Sequence, residues 1–161
     1  MTIDEIMMME ALKQAQIARE RDEVPIGAVI VFENKIIARA HNQVEMLKDP
    51  TAHAEMIAIT QAANYLQSKW LLACSMYVTI EPCSMCAGAL VLARLGRLGF
   101  GAYDPKTGAC GSVSNIVADK RLNHQIETSP GILSQSCATL VSEFFQQKRK
   151  AKSTDSFFSP N

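Results

Sequence analysis

An extended run closed by a proline and two cysteines limits this chain more than any other feature: Tyr77-Val78-Thr79-Ile80-Glu81-Pro82-Cys83-Ser84-Met85-Cys86. Ser75 to Ile80 is rich in strand formers, Pro82 ends strand pairing, and Cys83 to about Ala93 carries Ala87, Leu90 and Val91 at helical spacing. The two cysteines therefore open a helix that follows a strand. Three residues apart, they lie about 300° around the helix axis and share a face, which suits a grip on one ion. The positive end of the helix dipole favours both as thiolates, and it would serve a redox dithiol equally well.

A second helix start lies upstream. Asp49-Pro50-Thr51 is a turn with two possible caps, and from about His53 to Leu66 the residues Met56, Ile59, Ala63 and Leu66 recur at helical intervals. His53 and Glu55 fall at that start, but two residues rotate a helix by about 200°, so they point apart. The pair makes sense if His53 reaches a metal from the irregular start while the longer Glu55 approaches from another direction. Catalytic zinc takes three protein ligands and leaves a fourth position for water, and one His with two Cys is an accepted set. His53, Cys83 and Cys86 supply it, and Glu55 stays free for proton work. Zinc draws the pKa of water from about 15.7 towards 7, which suits hydrolytic deamination of a ring amidine with one carboxylate serving in turn as base and acid.

The rest of the chain supplies a frame. Thr2 and Glu5 have capping-box spacing ahead of a first helix whose stripe is Ile3, Met7, Ala11, Ala15 and Ala18, widened by Met8 and Leu12. Ile26 to Phe32 reads as a buried strand and Ile36 to Ala40 as its hairpin partner, delivering His41 and Asn42 at its end. Arg97 to Ala102 is a further strand, Asp104-Pro105 starts a turn-rich loop, Gln125 to Thr128 is a short edge strand, and Gly131 to Lys152 holds a last helix. Strands alternating with helices predict an α/β fold with helices on both sides of one sheet. The expected domain is 1–152, with a disordered tail over 153–161.

Composition sets aside a membrane role and gives no whole-protein electrostatic argument for nucleic acid. No segment approaches the roughly 18 apolar residues of a membrane span, and the net charge is zero, so only a local patch such as Lys148-Arg149-Lys150 could draw a nucleic acid. The acidic start Met1-Thr2-Ile3-Asp4-Glu5 has no secretory pattern, which places the chain in the cytoplasm. The remaining cysteines, Cys74, Cys110 and Cys137, read as small buried hydrophobes.

Taken jointly, His53-Ala54-Glu55 and Pro82-Cys83-Ser84-Met85-Cys86 resemble the signature of the zinc-dependent nucleobase deaminases. Val24 to Val29, Asp49 to Glu55, Tyr77 to Ala89, Phe100-Gly101-Ala102, Asp104, Lys106 to Ala109 and Gly111-Ser112 extend the likeness to the bacterial tRNA-specific adenosine deaminases over about residues 3 to 150. The resemblance implies a three-layer α/β/α cytidine-deaminase-like fold with a mixed sheet of about five strands. It also implies a homodimer with one zinc per subunit, and conversion of adenosine to inosine at the wobble position of a tRNA anticodon stem-loop. By position, His53, Cys83 and Cys86 would be the zinc ligands and Glu55 the proton shuttle. Asn42, Ala54, Asp104, Lys106, Thr107 and Phe145 would meet the substrate. Asn42 could equally cap its strand, Asp104 could be only a turn residue, and Phe144 and Phe145 could both be core anchors. His41 departs from the aromatic and Tyr103 from the basic residue that the family often has there.

Three rival readings remain open. One is a deaminase of free guanine, cytosine or a nucleoside, which the same metal site would serve. The second is a non-catalytic zinc module, with Cys74, Cys110 or His124 closing the coordination. The third is a dithiol oxidoreductase.

Overall fold

The computed structural model describes the backbone of residues 1–158 and the side chains of residues 1–153. Five strands form one sheet: β1 Gly27–Phe32, β2 Lys35–His41, β3 Cys74–Ile80, β4 Arg97–Ala102 and β5 Glu127–Ser129. Their order is β2-β1-β3-β4-β5. β1 is antiparallel to both β2 and β3, whereas β3, β4 and β5 run parallel. The sheet is mixed and five-stranded, as the resemblance implied.

Helices cover both faces. Helices α1 (Ile3–Glu20) and α5 (Ser134–Phe158) lie on one side, where Met8, Ala11 and Cys137 pack with Val29, Tyr77 and Ala102. Helices α3 (Ala54–Leu66) and α4 (Ser84–Leu92) lie on the other, where Ala58, Ala62, Leu90 and Val91 pack with Ile30, Met76, Val78 and Leu98. β3 is covered on both faces, which is why its sequence is a continuous apolar run rather than an alternation.

The capping box of α1 forms as its spacing predicts, with Glu5 N–H donating to Thr2 Oγ1 and Thr2 N–H to Glu5 Oε1, each at 3.1 Å. Its buried residues, Met8, Ala11, Ala15 and Ala18, all belong to the expected stripe, but the first member of that stripe does not go inside: Ile3 is 65% exposed. Gly27 faces the middle of the stripe, where a Cβ would collide with the Ala11 carbonyl and the Ala15 nitrogen. The helix backbone presses closely on β1 there, and the residues at that contact are alanines. The same holds for α3, whose sheet-facing residues are Ala54, Ala58 and Ala62, while Met56 and Ile59 are half-buried.

Two short elements escaped the sequence, the single-turn helix α2 (Val44–Leu47) and a 3-10 turn at Ile116–Ala118. Both are too short for a periodic signal. At the other end, α5 runs on to Phe158, past the boundary expected at Lys152. The rest of the tail read as disordered, residues 159–161, lies outside the described residues. No helix among those described is long and apolar enough to cross a membrane.

Away from the functional face, Arg97 fastens the start of α1 to the sheet. Its guanidinium donates to both Asp4 oxygens at 2.9 and 2.7 Å, to Tyr77 Oη at 3.0 Å and to Ser129 Oγ at 2.7 Å. The hydrogen bonds from Arg97, opposed by burial, hold the Asp4 carboxyl down at about 2, below its ordinary 3.8. A depressed folded-state pKa gives stability that is complete above the unfolded value and lost as the pH falls through the folded one. Asp4→Asn should therefore cost about 1–2 kcal/mol in urea unfolding at pH 7. The gap to the wild type should begin to close as the pH drops through 3.8 and vanish below about 2.

Candidate metal centre and cleft

Two helix starts converge on one point. His53 is the N-cap of α3 and Cys83 the N-cap of α4, both with extended backbones and neither turning its side chain back to cap its own helix. Each side chain instead projects ahead of its helix, and Cys86 joins them from the first turn of α4. His53 Nδ1 lies 3.6 Å from Cys83 Sγ and 3.5 Å from Cys86 Sγ. All three ligand atoms fall within 4.8 Å of one another, and this is the sole His, Cys, Asp or Glu group of that kind among the described residues.

That spacing is a test of fit for an ion. Zinc–sulfur bonds of about 2.3 Å and zinc–nitrogen bonds of about 2.0–2.1 Å, set at a tetrahedral angle, separate sulfur from nitrogen by about 3.6 Å. The trio matches in both distance and chemistry. A redox dithiol needs no imidazole equidistant from both sulfurs, and a closed structural site needs a fourth ligand. Cys74, Cys110 and His124 lie outside the trio, and His124 Nε2–H is engaged with the Leu95 carbonyl at 2.7 Å.

The two thiols are driven in opposite directions. Hydrogen bonds from Cys86 and His53 outweigh burial and hold Cys83 down at about 4, whereas the same Cys83 contact and burial push Cys86 up. The Cys83 contact also raises His53, against its burial. Glu55 stands apart from the trio at 4% exposure. Burial drives its carboxyl up to about 7, against the opposing pull of its own backbone N–H and the His53 charge. A group that exchanges a proton near neutrality is what acid–base work requires. His53 Nδ1 faces both sulfurs, and Glu55 lies beside the trio without being one of its grouped ligands.

Asn42, at the end of β2, lines a cleft of about 1050 Å³ together with His53. Its Oδ1 accepts from Ala54 N–H at 2.8 Å, so it satisfies an unpaired donor in the first turn of α3. The strand-end cap considered from sequence becomes a cap on a different element. The Asn42 amide nitrogen has no hydrogen-bond partner among the described residues, while the Ala54 N–H is taken up by Asn42 and is not available to a ligand.

The cleft carries both signs of charge, Arg21, Lys48 and Lys148 against Asp22, Glu23 and Glu45. Phe144 and Phe145 meet edge to face at 5.4 Å but divide their roles: Phe144 is buried and Phe145 is 41% exposed. Phe145 borders both this cleft and a second hollow of about 550 Å³, which is also lined by Asp104, Lys106, Thr107 and Arg149. Asp104 is partly spent on its own turn. Oδ1 accepts from Lys106 N–H at 3.0 Å and Thr107 N–H at 3.3 Å, and Oδ2 from Thr107 Oγ1–H at 2.8 Å.

Two buried carboxylates carry no motif that singles them out in the sequence. Glu23 accepts from Glu45 and Met46 N–H, both at 2.9 Å, and caps α2 beside the cleft. Glu81 accepts from Asp104, Cys110 and Ser112 N–H and from Ser112 Oγ–H, and these bonds outweigh its burial and hold its carboxyl below the ordinary range. The available signal was an acid at the end of an apolar strand, where an unpartnered charge would be costly. His41, which departs from the family's usual aromatic, is buried against Arg21 and Gln14 at 3.4 Å each.

Residues 3–149 match the family model of the MafB19-like deaminases. A tRNA-specific adenosine deaminase of Bacillus subtilis (strain 168) is 48% identical over 152 residues, 94% of each chain. A solved structure from a study of A-to-I editing by tRNA:A34 deaminases at the wobble position of transfer RNA superposes with a TM-score of 0.81. It is 41% identical and covers 84% of this chain and 98% of its own. A guanine deaminase of Nitrosomonas europaea shares the fold alone, at a TM-score of 0.75 and 24% identity over 87% of this chain and 83% of its own.

Ligation of a divalent cation removes the proton that the cysteine pair still holds, so metal affinity should rise with pH. Chelator competition between pH 6 and 8 should show tighter zinc binding at the alkaline end, with proton release measurable by calorimetry in buffers of different ionisation enthalpy. Cys83→Ala should lose the metal and lower the unfolding midpoint together.

Proposed function

The chain belongs to the tRNA-specific adenosine deaminases, and from that premise we infer that it converts adenosine 34 of tRNA, the anticodon wobble base, to inosine with one zinc ion per subunit. The observation that carries the zinc chemistry is the trio His53, Cys83 and Cys86 at 3.5–3.6 Å, with Glu55 buried beside it and outside it.

The net reaction adds water to adenosine and releases ammonia. Zinc, when bound by His53, Cys83 and Cys86, supplies a Lewis acid that brings the pKa of water towards about 7. Glu55 accepts a proton from the attacking water and passes it to the ring nitrogen of the base, then takes the second proton from the hydroxyl now on the ring carbon and gives it to the amine, which leaves as ammonia as the C–N bond breaks. Its raised proton affinity lets it both take and give. Burial keeps bulk water from competing for that proton.

Asn42 meets the base through the amide nitrogen left unpaired in the cleft, while its oxygen stays fixed on Ala54. Ala54 contributes by holding Asn42 through its N–H rather than by offering that N–H to the base. Phe145 offers a ring for a neighbouring base between two hollows, and Asp104, Lys106 and Thr107 line the second with backbone-facing polar groups. Two hollows of about 1050 and 550 Å³ exceed what one free base fills. The mixed charges of the cleft favour recognition of an exposed anticodon loop by shape and stacking over a broad basic field. Residues 1–152 form the catalytic domain in this reading, which acts in the cytoplasm as a homodimer. Exposed Trp70, Leu72 and Leu92 offer apolar surface for a second copy.

A guanine deaminase shares the fold, so activity on a free base is the rival reading. An anticodon stem-loop with adenosine at the wobble position should yield inosine, while guanine and cytosine release no ammonia; the reverse result would reject the RNA reading. Glu55→Gln should keep one zinc per chain and lose about 10²–10⁴-fold or more in turnover. Asn42→Ala should raise KM for the stem-loop and cost about 1 kcal/mol of stability through the lost cap on α3.

A further inference from the structure

The buried carboxylate at the end of β3 belongs to no step of the deamination, yet it joins the metal-bearing helix start to the loop at the mouth of the second hollow. Glu81 is 3% exposed. Its Oε1 accepts from Asp104 N–H at 2.9 Å and Ser112 Oγ–H at 2.5 Å, and its Oε2 from Cys110 N–H at 2.9 Å and Ser112 N–H at 3.1 Å. Donors from both ends of the 104–112 segment thus meet one side chain that a single proline separates from Cys83.

Backbone ties run beside it. Glu81 N–H donates to the Ala102 carbonyl and Ala109 N–H to the Pro82 carbonyl, each at 2.8 Å. Cys83 and Gly108 face each other in an isolated antiparallel bridge. Gly108 is the complement of the carboxylate: a Cβ there would collide with the Glu81 carboxyl group and the Asp104 carbonyl. A carboxylate at this point presents acceptors alone, and each of its four hydrogen bonds comes from a donor.

We propose that Glu81 is a positioning residue for substrate selection. By fixing Asp104, Lys106 and Thr107 against the start of α4, it sets the register between the base at the metal centre and the nucleotides that flank it. The inference rests on the reading of the substrate as anticodon RNA. A glutamine of the same shape would aim N–H groups at the loop's own donors, so the loop would leave its seat while Cys83 and Cys86 kept theirs.

The test is steady-state deamination of the wobble-adenosine stem-loop, and of stem-loops with each flanking nucleotide changed, by the wild type, Glu81→Gln, Glu81→Asp and Gly108→Ala. Glu81→Gln and Gly108→Ala should raise KM about tenfold or more, the effect of losing a hydrogen bond to a charged group, with a smaller change in kcat. The preference in kcat/KM among flanking nucleotides should shrink towards one, with zinc still at one per chain. Glu81→Asp, which keeps the acceptors, should recover part of that preference. Variants that lose zinc, or lower kcat with KM and flank preference unchanged, would overturn the proposal. Gly108→Ala displaces the loop from the opposite side and decides the matter if Glu81→Gln does not fold. A wild type that acts on free bases and not on the stem-loop would reject the substrate reading and this inference with it.

Discussion

Everything in this molecule is arranged so that two helix N-termini meet at one point. A helix start presents unpaired N–H groups and a partial positive charge, and both favour anionic ligands. Placing His53 and Cys83 at the cap positions, with extended backbones, frees their side chains to face each other. The sheet makes the meeting possible: β1 lies between β2 and β3, so the chain leaving β2 towards α3 and the chain leaving β3 towards α4 emerge on one side. The alanine faces of α1 and α3 and the bare Gly27 keep the layers close enough that the geometry has little slack.

Much of this was legible in the sequence where a local rule acts alone. β4 spans Arg97–Ala102 as its composition indicates, and the capping box of α1 forms as spaced. His53 stands at an irregular helix start, as its place just after Asp49-Pro50-Thr51 indicates. The parts that were not legible depend on partners distant in sequence. The close seat of α1 on β1 depends on Gly27, which no helical period within α1 reveals. Asn42 caps a helix twelve residues on, Glu23 caps α2, and Phe144 is buried while Phe145 is not, although the two rings are adjacent in sequence. Periodicity cannot assign an acceptor to a donor in another element.

The mouth of the site shows the same economy with charge. The chain is neutral overall, and its cleft is a mosaic of both signs rather than a basic field. Asp104 turns its carboxylate inward to close its own loop, which leaves Lys106 the exposed charge of that turn. Several polar groups around the two hollows are thus committed to holding their walls: Glu23 caps α2, Asp104 closes its own turn and Lys148 pairs with Asp22.

The docking of α5 ties binding to the protein's own ion pairs. Lys148 reaches back to Asp22 at 2.6 Å, and Glu143 is held by Arg19 at 2.9 Å, both across exposed surface where a pair is worth at most about 1 kcal/mol. A phosphate arriving at Lys148 therefore competes with a carboxylate of the protein itself. Added salt screens the incoming backbone and also weakens the pairs that hold α5, with Phe145 on it, against the end of α1. Ionic strength thus acts on the pairs that seat α5 as well as on the pull that Lys148 exerts on a charged ligand.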